Sequence, residues 1–298
     1  MGSEPMDAET QFADAGPATT ERAMQGASAR EPRRVSARRV KLLAHTLEND
    51  VIPRLVLSRS PTPAPAYIDR VASPGPTADD VSTMTGLVQQ GDLEGALDYI
   101  GGLCASGMAL ERVYLNLLAP VARRLGEMWE TDQADFTSVT VGLCCLQQLV
   151  LTHGGGFRPR DGRPHAERRV LLAPCPGEQH SFGLLMVGEF FRRQGWDVTS
   201  GTGATGRELT ALVRKDWFAL VGLSLSVEER LDTLAALVRD LRRASRNPAL
   251  GVMVGGQVFV QQPDLAVLVG ADATAADGQQ AALKAEALLA LLSRDIVV

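Results

Sequence analysis

A glutamate and a histidine two residues apart form the most chemically specific pair in this sequence. They lie in the segment EQHSFG (178–183), directly after a turn rich in proline and glycine. A neutral imidazole is a good ligand for a transition-metal ion, and a nearby carboxylate can accept the proton on its other nitrogen, which fixes the tautomer. The spacing favours His180 as a metal ligand oriented by Glu178, although by residue type alone a loop histidine is as often a solvated or capping residue. The candidate site residues on this loop are Glu178, Gln179, His180, Ser181 and Gly183.

Small and polar residues follow three further apolar runs of the sequence. If these runs are parallel strands, their carboxyl ends meet at one edge of a sheet, where ligands of open α/β folds bind. The residues would then converge on the same crevice as His180. Taken singly, each has an ordinary explanation as a strand end or a turn, so only their joint placement counts. These candidates are Ser224, Leu225 and Ser226, then Gly255 and Gly256, and finally Gly270, Ala271 and Asp272.

Short apolar runs alternate with helical patterns from Arg169 onwards, which is typical of a parallel sheet. The order and length predict a doubly wound, flavodoxin-like α/β fold with five parallel strands. The five predicted strands are RVLLA, WDVTS, FALVGLSL, LGVMVGG and LAVLVGA. Helices are predicted to start near His180, Arg207, Glu228, Gln261 and Gly278.

The composition limits the class of protein. The chain has 298 residues, of which 45% are hydrophobic and 22% are charged, and its net charge is −5. These values exclude a disordered acidic chain and a generally basic nucleic-acid binder. We expect a cytoplasmic protein, since the first residues lack the basic and apolar regions of a signal peptide. The four cysteines show no CxxC spacing, so we expect reduced thiols.

The chain divides into three predicted regions. Residues 1–76 hold nine of the 16 prolines, and we expect a flexible segment with one amphipathic helix at about 36–58 and a proline-rich linker. Residues 77–155 carry helical patterns that predict a four-helix bundle, and a Gly- and Pro-rich boundary separates it from the α/β domain at 167–298. The four helices are predicted at 78–90, 92–106, 109–128 and 135–153.

The α/β domain resembles a cobalamin-binding Rossmann-type module, whose first-loop signature is DxHxxG. Glutamate replaces the aspartate here, a form also found in cobalamin-binding regulators. The resemblance implies hydroxo-, methyl- or adenosylcobalamin as the cofactor, with His180 as the axial ligand of cobalt. It also implies that Ser224 contacts the nucleotide tail and that Gly255 and Gly256 allow close approach of the backbone.

The helical region is similar to the helical cap that covers the upper face of cobalamin in methyl carriers and light-sensing repressors. Gly126, Trp129 and Glu130 stand at the matching positions. The resemblance implies that Trp129 lies over the corrin, whereas the residue type alone favours the core of a bundle. The light-sensing repressors have a Glu-His pair about ten residues later, where this chain has Val139 and Thr140, so their upper histidine ligand is missing.

The segment KLLAHTLENDVIPRLVLS, followed by linker, cap and cobalamin module, resembles the AerR/PpaA antirepressors of photosynthesis genes. The resemblance implies a photoreceptor without catalytic activity that binds a PpsR/CrtJ-type repressor and relieves repression when light changes the cobalt ligation. The alternative function is a corrinoid methyl carrier serving a cobalamin-dependent methyltransferase.

Two further patterns leave weaker alternatives open. Gly201, Gly203 and Gly206 spell the dinucleotide-binding pattern GxGxxG, but they follow the second predicted strand rather than the first. A basic arm could contact DNA phosphates, although no recognised DNA-binding motif surrounds it. His153 and His165 could also approach a metal, and we leave them outside the predicted site. The basic arm comprises Arg30, Arg33, Arg34, Arg38, Arg39 and Lys41.

Overall fold

The computed structural model of this protein describes residues 75–154 and 167–294. The predicted amphipathic helix at 36–58, the basic arm and His165 lie outside these ranges. The first described range forms a helical bundle whose four helices agree with the predicted bounds to within two residues. They are α1 (Ala78–Gln89), α2 (Leu93–Ala105), α3 (Leu110–Arg112, Val113–Leu118 and Ala119–Glu130) and α4 (Phe136–Gly154).

Side chains fix the first two helix starts. Thr77 and Asp80 form a reciprocal capping box at α1, and Asp92 accepts a hydrogen bond from the Gly95 amide at α2. Such caps satisfy backbone N–H groups that have no partner within the helix. The starts of these helices are therefore specified by local sequence.

The middle of α3 is π-helical over Val113–Leu118, and Pro120 explains why. Proline has no N–H and its ring clashes with the carbonyl four residues earlier, so the regular α-helical hydrogen bonds are interrupted there. The Ala119 amide instead bonds to the Tyr114 carbonyl, five residues back. Such wider turns relieve the clash. Tyr114 then lies edge-on to Phe190 of the α/β domain, with ring centroids 6.3 Å apart.

The second described range forms an α/β domain with five parallel strands in the order β2-β1-β3-β4-β5. This is the predicted doubly wound, flavodoxin-like fold. The strands are β1 (Arg169–Pro174), β2 (Asp197–Ser200), β3 (Leu220–Ser224), β4 (Gly251–Gly255) and β5 (Ala273–Thr274). The helices are α5 (Phe182–Arg193), α6 (Gly206–Lys215), α7 (Leu231–Ala244), α8 (Gln257–Gln261), α9 (Leu265–Leu268) and α10 (Gly278–Arg294), with a 3₁₀ turn at Glu228–Arg230 before α7.

Alternate residues of the strands face two cores. Leu172, Leu220 and Met253 belong to a core that also contains α5, α10 and the inner side of the helical bundle. Val221 and Val254 belong to the other core, with α6, α7 and α8. Because strand order reverses between β1 and β3, a crevice opens at their carboxyl ends.

The prediction of the fifth strand is wrong. The run LAVL is helix α9, and β5 is the two-residue strand that follows it. Pro263 and Asp264 precede the run and Gly270 ends it with φ +79°, which are signals of a helix start and stop. Gly270, Ala271 and Asp272 therefore lie before β5. The Asp272 amide bonds to the Val252 carbonyl, which places these three residues toward the amino end of the sheet, away from the crevice.

Helix α4 is long and apolar enough to cross a membrane by composition alone, with a mean hydropathy of 1.2. One side of it is buried in the bundle through Leu146, Leu149 and Val150. Its opposite side exposes Phe136 and Leu151. The burial identifies α4 as a helix of the bundle core, and the exposed side leaves an apolar surface.

We expect Gly256→Ala to destabilise the fold by about 2 to 4 kcal/mol. Gly256 has φ +102°, and a Cβ there would lie 2.8 Å from the carbonyl carbon of Leu225. The control is Gly102→Ala in α2, where a Cβ meets nothing within 4 Å; it should stabilise by about 0.5 to 1 kcal/mol. Urea unfolding measures both, and a wild-type midpoint for Gly256→Ala would contradict the assignment.

Candidate functional site

The loop after β1 is held across the junction of β1 and β3. The Cys175 amide donates to the Ser224 carbonyl at 2.9 Å, and the Glu178 amide donates to the Cys175 carbonyl at 2.8 Å. Gly177 has φ +82°, and a Cβ there would collide with the guanidinium of Arg230. The loop therefore turns sharply at Gly177 and brings Glu178 into the crevice.

The carboxylate of Glu178 accepts four hydrogen bonds from N–H groups. Its Oε1 accepts from the amides of Gln179 and His180 and from His180 Nδ1, at 2.8, 2.9 and 2.6 Å. Its Oε2 accepts from the Ser226 amide at 2.8 Å. Burial opposes ionisation of this carboxyl, but the amides of His180 and Ser226 and the imidazole prevail, so the pKa of Glu178 is lowered. Glu178 is thus a fixed anion that ties the first loop to the third.

His180 presents its other nitrogen to the crevice. The His180 side chain is 74% exposed, whereas the Glu178 side chain is only 3% exposed. Because Nδ1 is bound to the carboxylate, the neutral imidazole carries its free lone pair on Nε2. Within the described ranges, no three His, Cys, Asp or Glu residues cluster to hold a metal ion. The site therefore suits a metal that brings its remaining ligands with it.

The floor of the crevice contains a polar atom without a partner. The Oγ of Ser224 is buried, and no group in the described residues bonds to it. Beside it, a Cβ on Gly255 would meet only the Ala275 carbonyl, at 3.8 Å. Buried hydroxyls are ordinarily satisfied, so this unpaired atom next to open space indicates room for a ligand group.

The other predicted residues of the crevice have more limited roles. Leu225 is fully buried in the core, so only its backbone could reach a ligand. Gly256 is required at its position because its backbone packs closely against the backbone of Leu225. Ser181 precedes the first turn of α5 without a side-chain hydrogen bond to the helix. Nothing lies within 4 Å of a Cβ built on Gly183, so both positions are open to a ligand.

Trp129 lies on the surface of the helical bundle. It is 49% exposed and packs edge-on against Phe136, which is 69% exposed, with ring centroids 6.1 Å apart. This exposure excludes the alternative in which Trp129 is a buried core residue. Sequence reasoning missed Phe136, although an aromatic seven residues after Trp129 at a helix start could have indicated the pair.

The position of α4 relates this aromatic pair to the crevice. The end of α4 packs beside the second half of α5, because a Cβ on Gly154 would lie 2.7 Å from a carboxylate oxygen of Glu189. Gln147 lines a cleft of about 230 Å³ with Ser181, which precedes the start of α5. Phe136 lies eleven residues before Gln147, or about 16 Å along a helix. The first half of α4 therefore extends past the start of α5, over the edge of the sheet that carries His180.

The GxGxxG segment does not form a phosphate site. Glu208 accepts hydrogen bonds from the amide and hydroxyl of Thr205, at 2.7 and 2.8 Å. This capping box places a carboxylate where a dinucleotide would place its pyrophosphate. The segment instead borders an open hollow of about 500 Å³ along α6. His153 is also accounted for, since its Nδ1 contacts the Leu149 carbonyl at 2.9 Å near the end of α4.

Comparisons with known proteins support the cofactor that the sequence implies. Residues 168–285 match the model of the B12 binding domain. An uncharacterized 20.5 kDa protein from the bchF-crtJ intergenic region of Rhodobacter capsulatus is 26% identical over 173 residues, which cover 56% of this chain and 87% of that protein. This relative is consistent with the resemblance to AerR/PpaA.

One of the solved structures that this chain resembles shares its fold. The monomethylamine corrinoid protein of Methanosarcina barkeri superposes with a TM-score of 0.55 at 14% identity, covering 72% of this chain and 98% of that one. A cobalamin-binding protein of Desulfitobacterium hafniense matches at a TM-score of 0.36 and 16% identity, over 70% of this chain and 98% of the other. At these identities, the first likeness establishes the fold alone.

The residues of the crevice fit cobalamin. An imidazole with a carboxylate on Nδ1 would suit cobalt as a ligand, and the corrin ring would bring the metal's other nitrogen ligands with it. The unpaired Ser224 hydroxyl and the open surface over Gly255 fit a polar portion of the same ligand. The exposed pair Trp129 and Phe136 fits a flat apolar surface above it.

We expect Glu178→Gln to lower the stability of the protein by about 1 to 3 kcal/mol at pH 7, because an amide cannot accept all four N–H groups. The pKa of Glu178 is lowered in the folded state. Its stabilisation is therefore present above the ordinary glutamate pKa and is lost as the pH falls through the folded value. The unfolding midpoints of wild type and Glu178→Gln should approach each other as the pH falls from 7 to 3. A difference that stays constant over this range would contradict this role.

Proposed function

We propose that this chain, whose residues 168–285 form a B12-binding domain, is a light-responsive transcriptional antirepressor. It is a cobalamin-binding protein. Its proposed partner is a repressor of the PpsR/CrtJ type that controls photosynthesis genes. The proposal places it in the cytoplasm and assigns it no catalytic reaction. The observation that favours regulation is its relative in the bchF-crtJ intergenic region of Rhodobacter capsulatus.

In this proposal each residue of the crevice has a defined task. Glu178 fixes the tautomer of His180, and His180 Nε2 would hold cobalt. Trp129 and Phe136 would exclude water from the bound group. When bound, cobalamin would supply a light-sensitive bond to cobalt.

The helical bundle transmits a change above the crevice to the rest of the protein. Its contacts with α5 include the Tyr114–Phe190 ring pair and an ion pair between Glu111 and Arg193. These contacts of α3 lie near the far end of α5 from His180, and Tyr114 also donates to the Val150 carbonyl of α4, so the second half of α4 is the anchored half. A change in the volume above the crevice would therefore tilt α4 about this anchored end, and the repressor would recognise the altered surface.

The first test addresses the ligand. His180→Ala should abolish the absorption spectrum of cobalamin in protein that has been reconstituted and desalted, because no other imidazole faces the crevice in the described ranges. His153→Ala is the matched control and should retain the colour, since His153 contacts the Leu149 carbonyl instead. Unchanged retention of cobalamin by His180→Ala would refute the ligand assignment.

The second test addresses regulation. We expect illuminated and dark cobalamin-loaded protein to differ at least several-fold in the concentration that releases a PpsR/CrtJ-type repressor from its operator DNA, measured by gel shift. His180→Ala should show no such difference. Identical titrations of the wild-type protein in light and dark would contradict the antirepressor function. A gel shift by the protein alone would instead indicate DNA contact through the basic arm.

The alternative function, a corrinoid methyl carrier, is favoured by one observation, namely the likeness of the fold to that of a corrinoid protein over 72% of this chain. A carrier supports methyl transfer from methylcobalamin to a thiol acceptor when partner enzymes are present. Turnover in that assay, together with identical gel shifts in light and dark, would favour the carrier.

A further inference from the structure

Lys284 is a buried lysine that the site described above does not use. It lies in α10, it is 6% exposed, and its Nζ donates to the Thr274 carbonyl at 2.8 Å. No carboxylate in the described residues lies within ion-pair distance of this ammonium. Burial lowers the pKa of Lys284, and the more distant charge of Asp277 opposes this shift.

Such a residue weakens the fold of the protein alone. Burying an ammonium costs free energy unless it is paired and hydrogen-bonded. One carbonyl satisfies a single N–H of the three that a lysine ammonium carries. An apolar side chain of similar length would be more stable at this position, so the packing of α10 does not explain a lysine.

The register of the sheet places Lys284 on the same face as Ser224. Ser224 pairs with Gly255, and Thr274 pairs with Val254, so Ala275 follows level with Gly255. Leu223 and Val254 face the core of α6 to α8. Because successive side chains of a strand point to opposite faces, the next residue of each strand faces the side covered by α5 and α10.

The carboxyl ends of three strands thus offer a floor of small side chains on this face. Its members are Ser224, Gly255 and Ala275, and adjacent strands are about 4.8 Å apart, so the floor is about 10 Å wide. The unpaired Ser224 Oγ lies at one side. The Thr274 carbonyl, which holds Lys284, lies at the other. A buried hydroxyl and a buried ammonium therefore flank a surface of small residues.

The neighbouring charged groups do not supply another cation for this floor. Arg192 pairs with Glu189 and Arg168 pairs with Glu286. The amino end of α10 is closed by Asp277, whose carboxylate accepts from the Gln280 amide at 2.8 Å. Lys284 is therefore the cation with which an anion on this floor would pair.

We infer that Lys284 binds the phosphodiester of the nucleotide loop of cobalamin, with the Ser224 hydroxyl as a hydrogen-bond partner of the same loop. The inference rests on the proposed ligation by His180. Cobalamin carries its phosphodiester on a flexible chain that ends in the base normally bound to the lower side of cobalt. When His180 takes that position, the chain is displaced and its anion must lie against the protein. A buried ammonium is the group that such an anion requires.

The test compares two corrinoids, hydroxocobalamin and aquocobinamide, which lacks the nucleotide loop. Lys284→Met should bind hydroxocobalamin about tenfold to a hundredfold more weakly than wild type, as measured by absorbance titration, and aquocobinamide with unchanged affinity. Its unfolding temperature without corrinoid should be equal to or above that of wild type. Lys215→Met, which removes an exposed lysine of α6, is the control and should leave both affinities unchanged.

Each outcome decides the inference. Equal affinities of Lys284→Met and wild type for hydroxocobalamin would overturn it while leaving His180 as the ligand. An equal loss for both corrinoids, together with a lower unfolding temperature, would assign Lys284 a structural role and would also overturn it. If Lys284→Met does not fold, Lys284→Arg replaces it, and this variant should keep a preference for hydroxocobalamin over aquocobinamide. Failure of the wild-type protein to bind either corrinoid would overturn the proposed function as well.

Discussion

One buried carboxylate joins the parts of the site. Glu178 holds its own loop, the imidazole of His180 and the first amide after Ser224 and Leu225 within a single set of hydrogen bonds. These bonds link the ends of β1 and β3 at the point where strand order reverses. Since an anion that accepts four N–H groups remains ionised despite burial, the imidazole is pre-set in one tautomer before any metal arrives. A flexible histidine would have to lose that freedom on binding.

The helical bundle depends on a different constraint. Pro120 prevents a regular helix, and the resulting π-helical turn directs Tyr114 toward Phe190. This contact, with the ion pair of Glu111 and Arg193, anchors the bundle at the far end of α5. Exposed aromatic side chains then remain at the end of the bundle that extends past the sheet. Apolar surface of this kind is costly in water, so the exposed aromatic pair is consistent with the cofactor cover in the proposed function.

Local and global features of the sequence differed in how well they could be predicted. The pairing of Glu178 with His180 was predictable because both lie on one short loop, and the first four strands were predictable from β-rich runs of limited length. The fifth strand failed because a buried run such as LAVL suits helix and strand equally; the adjacent Pro263 and Asp264 were the better evidence. Ser226 was among the candidates, but the bond from its amide to Glu178 and the burial of Lys284 behind the sheet could not be predicted, since strand order and register alone determine them.

Some buried polar atoms near the carboxyl ends of the strands have no hydrogen-bond partner among the described residues. They lower the stability of the domain when no ligand is bound. Ser224 Oγ and the Oγ1 of Thr274 are buried without hydrogen bonds in the described structure, and Lys284 has a single carbonyl for its charge. Each such group costs free energy in the protein alone. Elsewhere in the same domain, buried polar groups are satisfied, as Asp272 is by Arg242 and the Val252 amide. Because Ser224 Oγ and Lys284 lie near the proposed ligand-binding edge, a ligand bound there would stabilise the fold by satisfying them, and the stability of the domain would then report whether the ligand is in place.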